Sequence, residues 1–414
     1  MKGLLTSPGR RHLTAISQNC SDFNNQVFSH FMAQSTWDHR SLVEWIRNIG
    51  WRLIGKNGAL VIDECANPKS GEHSVGVQRQ YCGNLGKVEN CQVGVFMAYV
   101  KNGSRLLLDY RLYLPKSWTS NSKRCDSAGI PIEHRTFKTK AELSYELIVD
   151  ALRSKIPFSH VNMDGFYGSQ PWLLTLLEAL GVTYVADIGS DDRVFLEVPE
   201  YGIPLKCNPR GRPPSQVKVL NTTPIRVDEI MRKIKRWRIL RVRRAMNGFL
   251  EVNFYALKVW RIDKDIQEPL PVWLLIRKEL EEPKVKYSLC NGNHINSWDR
   301  LVKMQSERYW VERTFQDSIA LAGMADYQVR NWKAWHHHVA LVLLAMLWIL
   351  REQKHLLPEF KDITPQDVAR FFLIWMPLKE KTSSTVAEVT VKNKNNRKNS
   401  RRSKMKRKGR PIIE

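Results

Sequence analysis

Two short apolar runs in the sequence each end in a carboxylate. LVID ends at Asp63, and HVNMD ends at Asp164. Because functional groups of α/β sheets gather at the carboxyl ends of strands, we expect both side chains at one edge of a sheet. Two carboxylates held close together repel each other unless a divalent cation lies between them, and Mg²⁺ prefers oxygen ligands. Two such ions about 3.5–4 Å apart can hold the attacking and leaving oxygens of a phosphodiester that is being cleaved.

A third carboxylate lies in a segment with helical spacing, SERYWVERTFQDSIALAG at 306–323. Arg308 and Glu312 are four residues apart there, so they share one helical face. The simpler interpretation is a surface ion pair worth a few tenths of a kcal/mol. The alternative is that Glu312 points inward to a metal while Arg308 faces a phosphate. Strand-end acids more often cap a turn than catalyse, so the residues alone leave both interpretations open.

The overall charge indicates a polyanionic partner. The 414 residues include 65 Lys and Arg against 41 Asp and Glu, a formal net charge of +24. Such an excess favours nucleic acid first and an anionic membrane surface second. The seven cysteines are dispersed with no CxxC pair, which argues against a zinc cluster or a disulfide framework and for a reducing cytosol. The longest apolar run, at 339–350, is too short to span a bilayer and predicts a buried core helix.

Hydrophobic periodicity predicts an α/β core in the first half of the chain. The predicted order is three strands, a helix, a strand, a helix and a strand, at 58–65, 90–100, 105–115, 138–155, 158–165, 169–180 and 181–189. The spacing of Thr139 and Glu142 predicts a capping box at the start of the first of these helices.

Composition divides the chain into five predicted segments. The segments are a helical N-terminal segment at 1–57, which could be a shortened DNA-binding region, the first part of the α/β core at 58–189, a mainly β insertion at 190–297, C-terminal core helices at 298–377 and a disordered basic tail at 378–414. From residue 392 to residue 410 the tail carries eleven basic residues and no acid, so it cannot bury a core.

Most of residues 58–350 resemble the DDE transposases of bacterial insertion sequences, in particular the insertion sequence 701 family of the insertion sequence 4-like group. The resemblance is carried by LVIDE, GEHSVGVQRQYCGNLGKVENCQV, LYLPKSW, FKTKAELSYELI, MDGFYG and RYWVERTFQDSIALAGMADYQVRNWKAWHHHVAL. It implies an RNase H-like catalytic core, a mixed five-stranded sheet flanked by helices, with acids on the first strand, after the fourth strand and on a late helix. The implied catalytic residues and metal ligands are Asp63, Asp164 and Glu312, binding two Mg²⁺ ions for which Mn²⁺ can substitute.

The late helix of that group carries the motif Tyr-x2-Arg-x3-Glu-x6-Lys. Arg308 and Glu312 match it, whereas Gln305 and Ile319 stand where the Tyr and the Lys would be. The resemblance places Arg308 on phosphate.

Several other cations are predicted to contact DNA. They lie in the Gly-containing turn PKSGEHSVGVQRQYCGNLGK, in an Arg-Gly-Arg element suited to a narrow A·T minor groove, and in the basic stretch RKIKRWRILRVRR. With the late-helix Arg, the predicted DNA-binding residues are Lys69, His73, Arg79, Lys87, Arg210, Arg212, Arg236, Trp237 and Arg308. The simpler interpretations are a solvated loop for the turn, a chance match for the Arg-Gly-Arg element and core packing for the Trp.

The resemblance implies a Mg²⁺-dependent transposase. It would cleave DNA at the terminal inverted repeats of an insertion sequence and transfer the strands to target DNA. We expect it to act as a homodimer on double-stranded DNA, in the bacterial cytoplasm at the nucleoid and without a membrane. Two alternatives stay open: a degenerate or host-adopted DNA-binding protein that has lost catalysis, and a structure-selective nuclease that never joins strands. The departures at Gln305 and Ile319 favour the first of these.

Overall fold

The computed structural model describes residues 1–20, 23–205, 214–245, 248–263, 266, 268–280, 284–360, 363–376 and 395. The predicted basic tail at 378–414 lies outside these residues, apart from residue 395, and so do the predicted minor-groove residues Arg210 and Arg212.

The described residues form a mixed α/β fold with one large sheet and helices packed against it. The strands are β1 (Gly58–Pro68), β2 (Gln78–Cys82), β3 (Lys87–Lys101), β4 (Ser104–Leu112), β5 (Phe158–Met163), β6 (Tyr184–Ile188), β7 (Arg193–Phe195), β8 (Tyr201–Gly202), β9 (Lys218–Val219), β10 (Ile225–Arg226), β11 (Arg238–Ala245), β12 (Gly248–Arg261), β13 (Leu270–Glu279) and β14 (Val285–Cys290). The helices are α1 (Lys2–Thr6), α2 (Leu13–Cys20), α3 (Asn25–Ala33), α4 (His39–Ile54), α5 (Lys116–Thr119), α6 (Ser122–Ala128), α7 (Lys140–Arg153), α8 (Gly165–Gly168), α9 (Pro171–Ala179), α10 (Val227–Arg232), α11 (Trp298–Ser306), α12 (Tyr309–Ala322), α13 (Trp332–Leu356) and α14 (Pro365–Trp375).

The centre of the sheet has the order β4-β3-β1-β5-β6. β1 is antiparallel to β3 and parallel to β5, and β5 is parallel to β6. The predicted strands of the first half of the chain are therefore present and neighbour one another. The apolar residues at Val61 and Ile62 are fully buried between these neighbours, which is why the run reads as a buried strand.

The sheet is larger than the five strands that were predicted. β14 pairs antiparallel with β6, and β13, β12 and β7 follow outward, so strands of the insertion extend the same sheet. The described residues place twelve strands in it. A second apolar cluster, which includes Phe254, Leu275 and Leu301, packs α11 onto these added strands. The insertion is thus joined to the core by continuous backbone hydrogen bonding.

The segment that carries the late-helix motif is two helices rather than one. α11 ends at Ser306, residues 307 and 308 form a turn, and α12 begins at Tyr309. Arg308 has helical dihedral angles (φ −56°, ψ −33°), so the four-residue spacing to Glu312 still brings the two side chains together. α12 ends at Ala322 and is capped by Gly323, whose φ of 66° is left-handed.

Two local predictions are confirmed. Thr139 and Glu142 form the capping box of α7. The apolar run at 339–350 lies in α13, which is long and apolar enough by length and composition alone to cross a membrane. Because 78% of its most apolar 18-residue window is buried inside the protein, α13 is accounted for as a core helix.

Candidate active site

Three aspartates lie at the same level on three adjacent parallel strands. Ile62 pairs with Met163, and Met163 pairs with Ala186. The next residues are Asp63, Asp164 and Asp187, so the sheet register sets the three carboxylates side by side at one edge. Asp63 and Asp164 were predicted site residues, and Asp187 was not.

The guanidinium of Arg308 joins three carboxylates. Its Nη1 donates to Asp63 Oδ2 at 3.1 Å, and its Nη2 donates to Glu312 Oε1 at 2.6 Å. Its Nε lies 3.3 Å from Asp187 Oδ2. The contact of Glu312 with Arg308 is the i,i+4 ion pair of the simpler interpretation, and through it one planar cation spans the cluster.

Asp164 has a different environment from the other two aspartates. Its Oδ1 accepts hydrogen bonds from the backbone N–H groups of Phe166 and Tyr167, at 3.0 and 3.4 Å. Neither bond uses Oδ2. Asp164 therefore caps α8 through Oδ1, as the simpler interpretation of a strand-end acid expects.

Burial sets the electrostatics of the cluster. It raises the pKa of Asp63 to about 7, an effect that Arg308 opposes and Asp164 reinforces. Burial likewise raises the pKa of Asp164, again opposed by Arg308. For Arg308, burial lowers the pKa, but the carboxylates of Asp63 and Asp187 outweigh it and the net pKa is raised. The cluster thus has more carboxylate than Arg308 alone can stabilise.

Acidic and basic side chains line the same cleft. The cleft has a volume of about 580 Å³, and its acidic residues are Asp164, Asp187 and Glu312. Its cations, called the basic wall below, come from the insertion strands and the adjoining turn: Arg243, Arg277, Lys284 and Lys286. Burial lowers the pKa of Lys286, and the neighbouring Arg277 and Arg308 lower it further. Cations desolvated in this way favour an anionic ligand in the cleft.

One residue of the basic wall, Arg243, packs on an aromatic ring. The guanidinium carbon of Arg243 lies 3.8 Å from the ring centroid of Tyr309, the first residue of α12. Tyr309 also lines the cleft. This contact links the basic stretch at 232–244 to the helix that carries Glu312.

The donor chemistry of the cluster fits a hard divalent cation. The groups are carboxylate oxygens, which Mg²⁺ and Mn²⁺ take readily, and the buried Asp63 gains most from a nearby cation. In the described part of the chain, however, no group of three or more His, Cys, Asp or Glu side chains is arranged to hold a metal ion as it stands. The carboxylates of Asp63, Asp187 and Glu312 are arranged around the guanidinium of Arg308.

The predicted DNA-binding residues of the first turn divide into two sets. Lys69 is turned inward: its Nζ donates to the Tyr327 carbonyl oxygen at 2.6 Å and lies over the Tyr327 ring, and burial lowers its pKa to about 8. This ammonium therefore has partners within the protein. His73, Arg79 and Lys87 are exposed. Arg79 lies in β2 and Lys87 is the first residue of β3, so both are on the β2–β3 hairpin at the edge of the sheet.

The predicted residues of the basic stretch also differ from each other. Arg236 is exposed before β11. Trp237 is partly buried against the main core and makes an edge contact with Tyr255, with ring centroids 6.4 Å apart. The simpler interpretation of Trp237, core packing, describes its position.

The two departures from the late-helix motif both point into the protein. Gln305 is 3% exposed, and its Nε2 donates to Ser288 Oγ at 2.8 Å. Ile319 packs against the main hydrophobic core. The Gln305 position is therefore part of the site's support rather than of its surface.

Sequence reasoning missed Asp187 and the basic wall. Asp187 follows the apolar run YVA within TYVADIG, the same signature that singled out Asp63 and Asp164. This pattern could have identified Asp187 from the sequence. The wall residues Arg277 and Lys286 carry no comparable signal, since only the pairing of β14 with β6 brings their strands to the site.

Part of the chain is similar in sequence to known proteins. A family model described as DDE superfamily endonuclease matches residues 1–248, a range that includes Asp63 and Asp164 and ends before Glu312. A probable transposase for insertion sequence element IS701 from Microchaete diplosiphon is 28% identical over 198 residues, which is 46% of this chain and 48% of that relative. The match thus spans about half the length of the relative. A cryo-EM structure of a piggyBac transposase synaptic complex with hairpin DNA has a TM-score of 0.39 and 13% identity over 89% of this chain and 64% of that chain.

Proposed function

We propose that this chain, which belongs to the DDE superfamily endonucleases, is a transposase. It would catalyse Mg²⁺-dependent DNA strand cleavage and strand transfer at the inverted-repeat ends of an insertion sequence. The name of the IS701 relative and the net charge of +24 support a DNA substrate. Pairing two element ends calls for at least a homodimer, acting in the cytoplasm at the nucleoid.

The catalytic residues we propose are Asp63, Asp164 and Glu312. One observation carries the assignment: Arg308 bonds to both Asp63 and Glu312, although Asp63 lies 245 residues before it in the chain. Asp164 lies beside Asp63 through the parallel register of β1 and β5. The strand order β4-β3-β1-β5-β6 supports an RNase H-like core with acids on its first strand, after its fourth strand and on a late helix.

These three carboxylates would hold two divalent ions, Mg²⁺ or Mn²⁺, which supply Lewis-acid charge at the scissile phosphate. A water oxygen attacks phosphorus while the bond to the 3′ oxygen breaks in line, and a 3′-hydroxyl is freed. That hydroxyl then attacks a target phosphodiester, forming one P–O bond as another breaks. The chain's own groups position and neutralise: Arg308, Arg277 and Lys286 face the phosphate, and no covalent enzyme intermediate is needed.

The remaining DNA contacts we propose are on exposed cations. His73, Arg79 and Lys87 on and beside the β2–β3 hairpin, and Arg236 before β11, are open to a DNA backbone. Phosphate contacts of this kind set register and orientation and carry no sequence information.

The test is cleavage of DNA that carries the element's own ends. Asp63→Ala, Asp164→Ala and Glu312→Ala should each abolish strand cleavage in Mg²⁺, by at least about 10³-fold, while DNA retardation is kept. Asp191→Ala is the matched control, because Asp191 is an exposed acid four residues beyond Asp187. Full cleavage by all three variants refutes the assignment.

One alternative has a specific observation in its favour. Gln305 and Ile319 stand where the late-helix motif has a Tyr and a Lys, and these departures favour a DNA-binding protein that has lost catalysis. Specific retardation of the element ends by the wild-type chain, with no nicking in either Mg²⁺ or Mn²⁺, would establish that alternative.

A further inference from the structure

We propose that Asp187 is a positioning residue that anchors Arg308. In this view Arg308 gives up Asp63 and Glu312 to a divalent cation and turns its freed N–H groups toward phosphate, while Asp187 keeps hold of it. That the phosphate belongs to DNA rests on the proposed function. The exchange of Arg308 for a divalent cation at Asp63 and Glu312 does not.

The guanidinium geometry separates the anchor from the exchangeable contacts. Asp187 lies on the Nε side of Arg308, at 3.3 Å, in an ion pair to which Nε donates no hydrogen bond. Asp63 and Glu312 use the two terminal nitrogens, Nη1 and Nη2. The contact to Asp187 can therefore persist while the other two break, because it shares no nitrogen with them.

Arg308 needs such an anchor. Its side chain is only 16% exposed, and a desolvated cation without a partner is strongly unfavourable. If Asp63 and Glu312 turn to an incoming ion, Asp187 is the carboxylate in contact that is left. Without Asp187, displacing Arg308 would leave its charge unpaired, and the ion would bind less tightly.

Asp187 is itself fixed by a short relay. Ser288 lies opposite it on β14, and the Ser288 hydroxyl donates to Asp187 Oδ1 at 2.6 Å. Gln305 donates in turn to Ser288 Oγ at 2.8 Å, and both relay residues are buried. The relay fills one oxygen of Asp187 and leaves the other for Arg308. It also gives Gln305 a role at the position where the motif has a Tyr.

The two contacts of Asp187 are both made by side chains. Its Oδ1 accepts from the Ser288 hydroxyl and its Oδ2 forms an ion pair with Arg308 Nε, whereas Asp63 Oδ1 accepts from the backbone N–H of Glu64. Asp164 likewise uses Oδ1 for its backbone bonds. Asp187 therefore differs from the two neighbouring aspartates in its partners.

The test is a double-mutant cycle read by Mn²⁺ binding to the full chain without DNA, using calorimetry. Asp187→Asn should weaken Mn²⁺ binding about tenfold in the wild-type background and by no more than about twofold in the Arg308→Gln background. The small loss of affinity in the Arg308→Gln background measures the long-range electrostatic effect of removing the Asp187 charge. Equal losses in both backgrounds would overturn the proposal, since they would mean direct ligation or a general field effect.

Two further variants keep the test decisive if Asp187→Asn unfolds. Ser288→Ala removes only the relay and should weaken Mn²⁺ binding about threefold, with no further loss when it is combined with Asp187→Asn. Asp191→Asn makes the same charge change at an exposed position and should leave the affinity within about twofold. No effect of Ser288→Ala, or an effect of Asp191→Asn as large as that of Asp187→Asn, contradicts the anchor.

The outcomes distinguish this inference from the proposed function. If the chain shows the expected coupling in Mn²⁺ binding but never cleaves its element ends, the role of Asp187 is supported and the transposase function is refuted. A chain that cleaves, but shows equal Asp187→Asn losses in both backgrounds, keeps the transposase and loses the anchor. A wild-type chain that binds no Mn²⁺ overturns the exchange.

Discussion

At the scale of single residues, the burial of Asp63 conflicts with the ionisation of its carboxyl group. Its side chain is 13% exposed, and burial raises its pKa to about 7 in spite of the Arg308 contact. A buried carboxylate tolerates ionisation only with cationic help. Arg308 supplies part of that help and also contacts Asp187 and Glu312. The buried Asp63 carboxylate would therefore be stabilised by a further cation, but Arg308 already occupies its Oδ2.

This conflict predicts a pH-dependent stability difference between the wild-type chain and Asp63→Asn. The folded pKa of Asp63 is raised above its unfolded value of 3.8, so its contribution to stability is fully present below pH 3.8 and is lost as pH rises through about 7. In EDTA, the wild-type free energy of unfolding should fall relative to Asp63→Asn by up to about 1.4 kcal/mol per pH unit within that window.

Urea unfolding at pH 5, 6 and 7 measures this difference. Added Mn²⁺ should restore the wild-type chain at pH 7 and have less effect on Asp63→Asn. A stability difference that does not change with pH would show that Asp63 ionises at its ordinary pKa.

At the scale of elements, the packing of α8 against β6 holds the aspartates in line. Gly168, at the end of α8, lies so close to β6 that an added Cβ would be 1.9 Å from the backbone carbonyl oxygen of Asp187. Only glycine fits this approach. The glycine that ends the MDGFYG motif thus sets the distance between the Asp164 turn and the strand that carries Asp187.

Gly168→Ala should therefore destabilise the protein by about 1–3 kcal/mol, because β6 must shift to accept the methyl group. Gly165→Ala is the matched control within the same helix, since its added Cβ would lie at an ordinary 3.8 Å from the same oxygen. Thermal unfolding and Mn²⁺ binding measure both effects. Equal destabilisation by the two variants would mean that the contact with Asp187 is not the cause.

At the scale of the whole molecule, one continuous sheet unites the catalytic edge with the basic wall. The pairing of β14 with β6 places Arg277 and Lys286 in the cleft that the carboxylates also line. Farther out, the β2–β3 hairpin carries exposed cations at the opposite end of the strand order. A molecule with a net charge of +24 is expected to bind DNA mainly through counterion release.

The double variant Arg79→Ala/Lys87→Ala should lower the slope of log affinity against log salt by about 1.8, or about 0.9 for each lost phosphate contact. The control is Arg153→Ala/Arg370→Ala, which makes the same charge change at side chains that are 77% and 80% exposed on α7 and α14. Fluorescence anisotropy across a salt series measures the slopes. The same slope for both double variants would remove the hairpin from the DNA interface.

The sequence alone determined what depends on local pattern. The buried strands, the capping box of Thr139 and Glu142, the core helix α13 and the strand-end acids were all readable, because burial and capping leave a short-range periodic signal. The resemblance then selected Glu312 from among many acids.

Only the tertiary structure decided which partners those residues meet. The role of Asp187 depends on the register of β6 beside β5, and that of Gln305 depends on the pairing of β14 with β6. Arg308 was expected on phosphate and lies among three carboxylates. Strand pairing joins segments more than a hundred residues apart, and no local propensity encodes it, so these contacts follow from the folded sheet and not from any stretch of sequence.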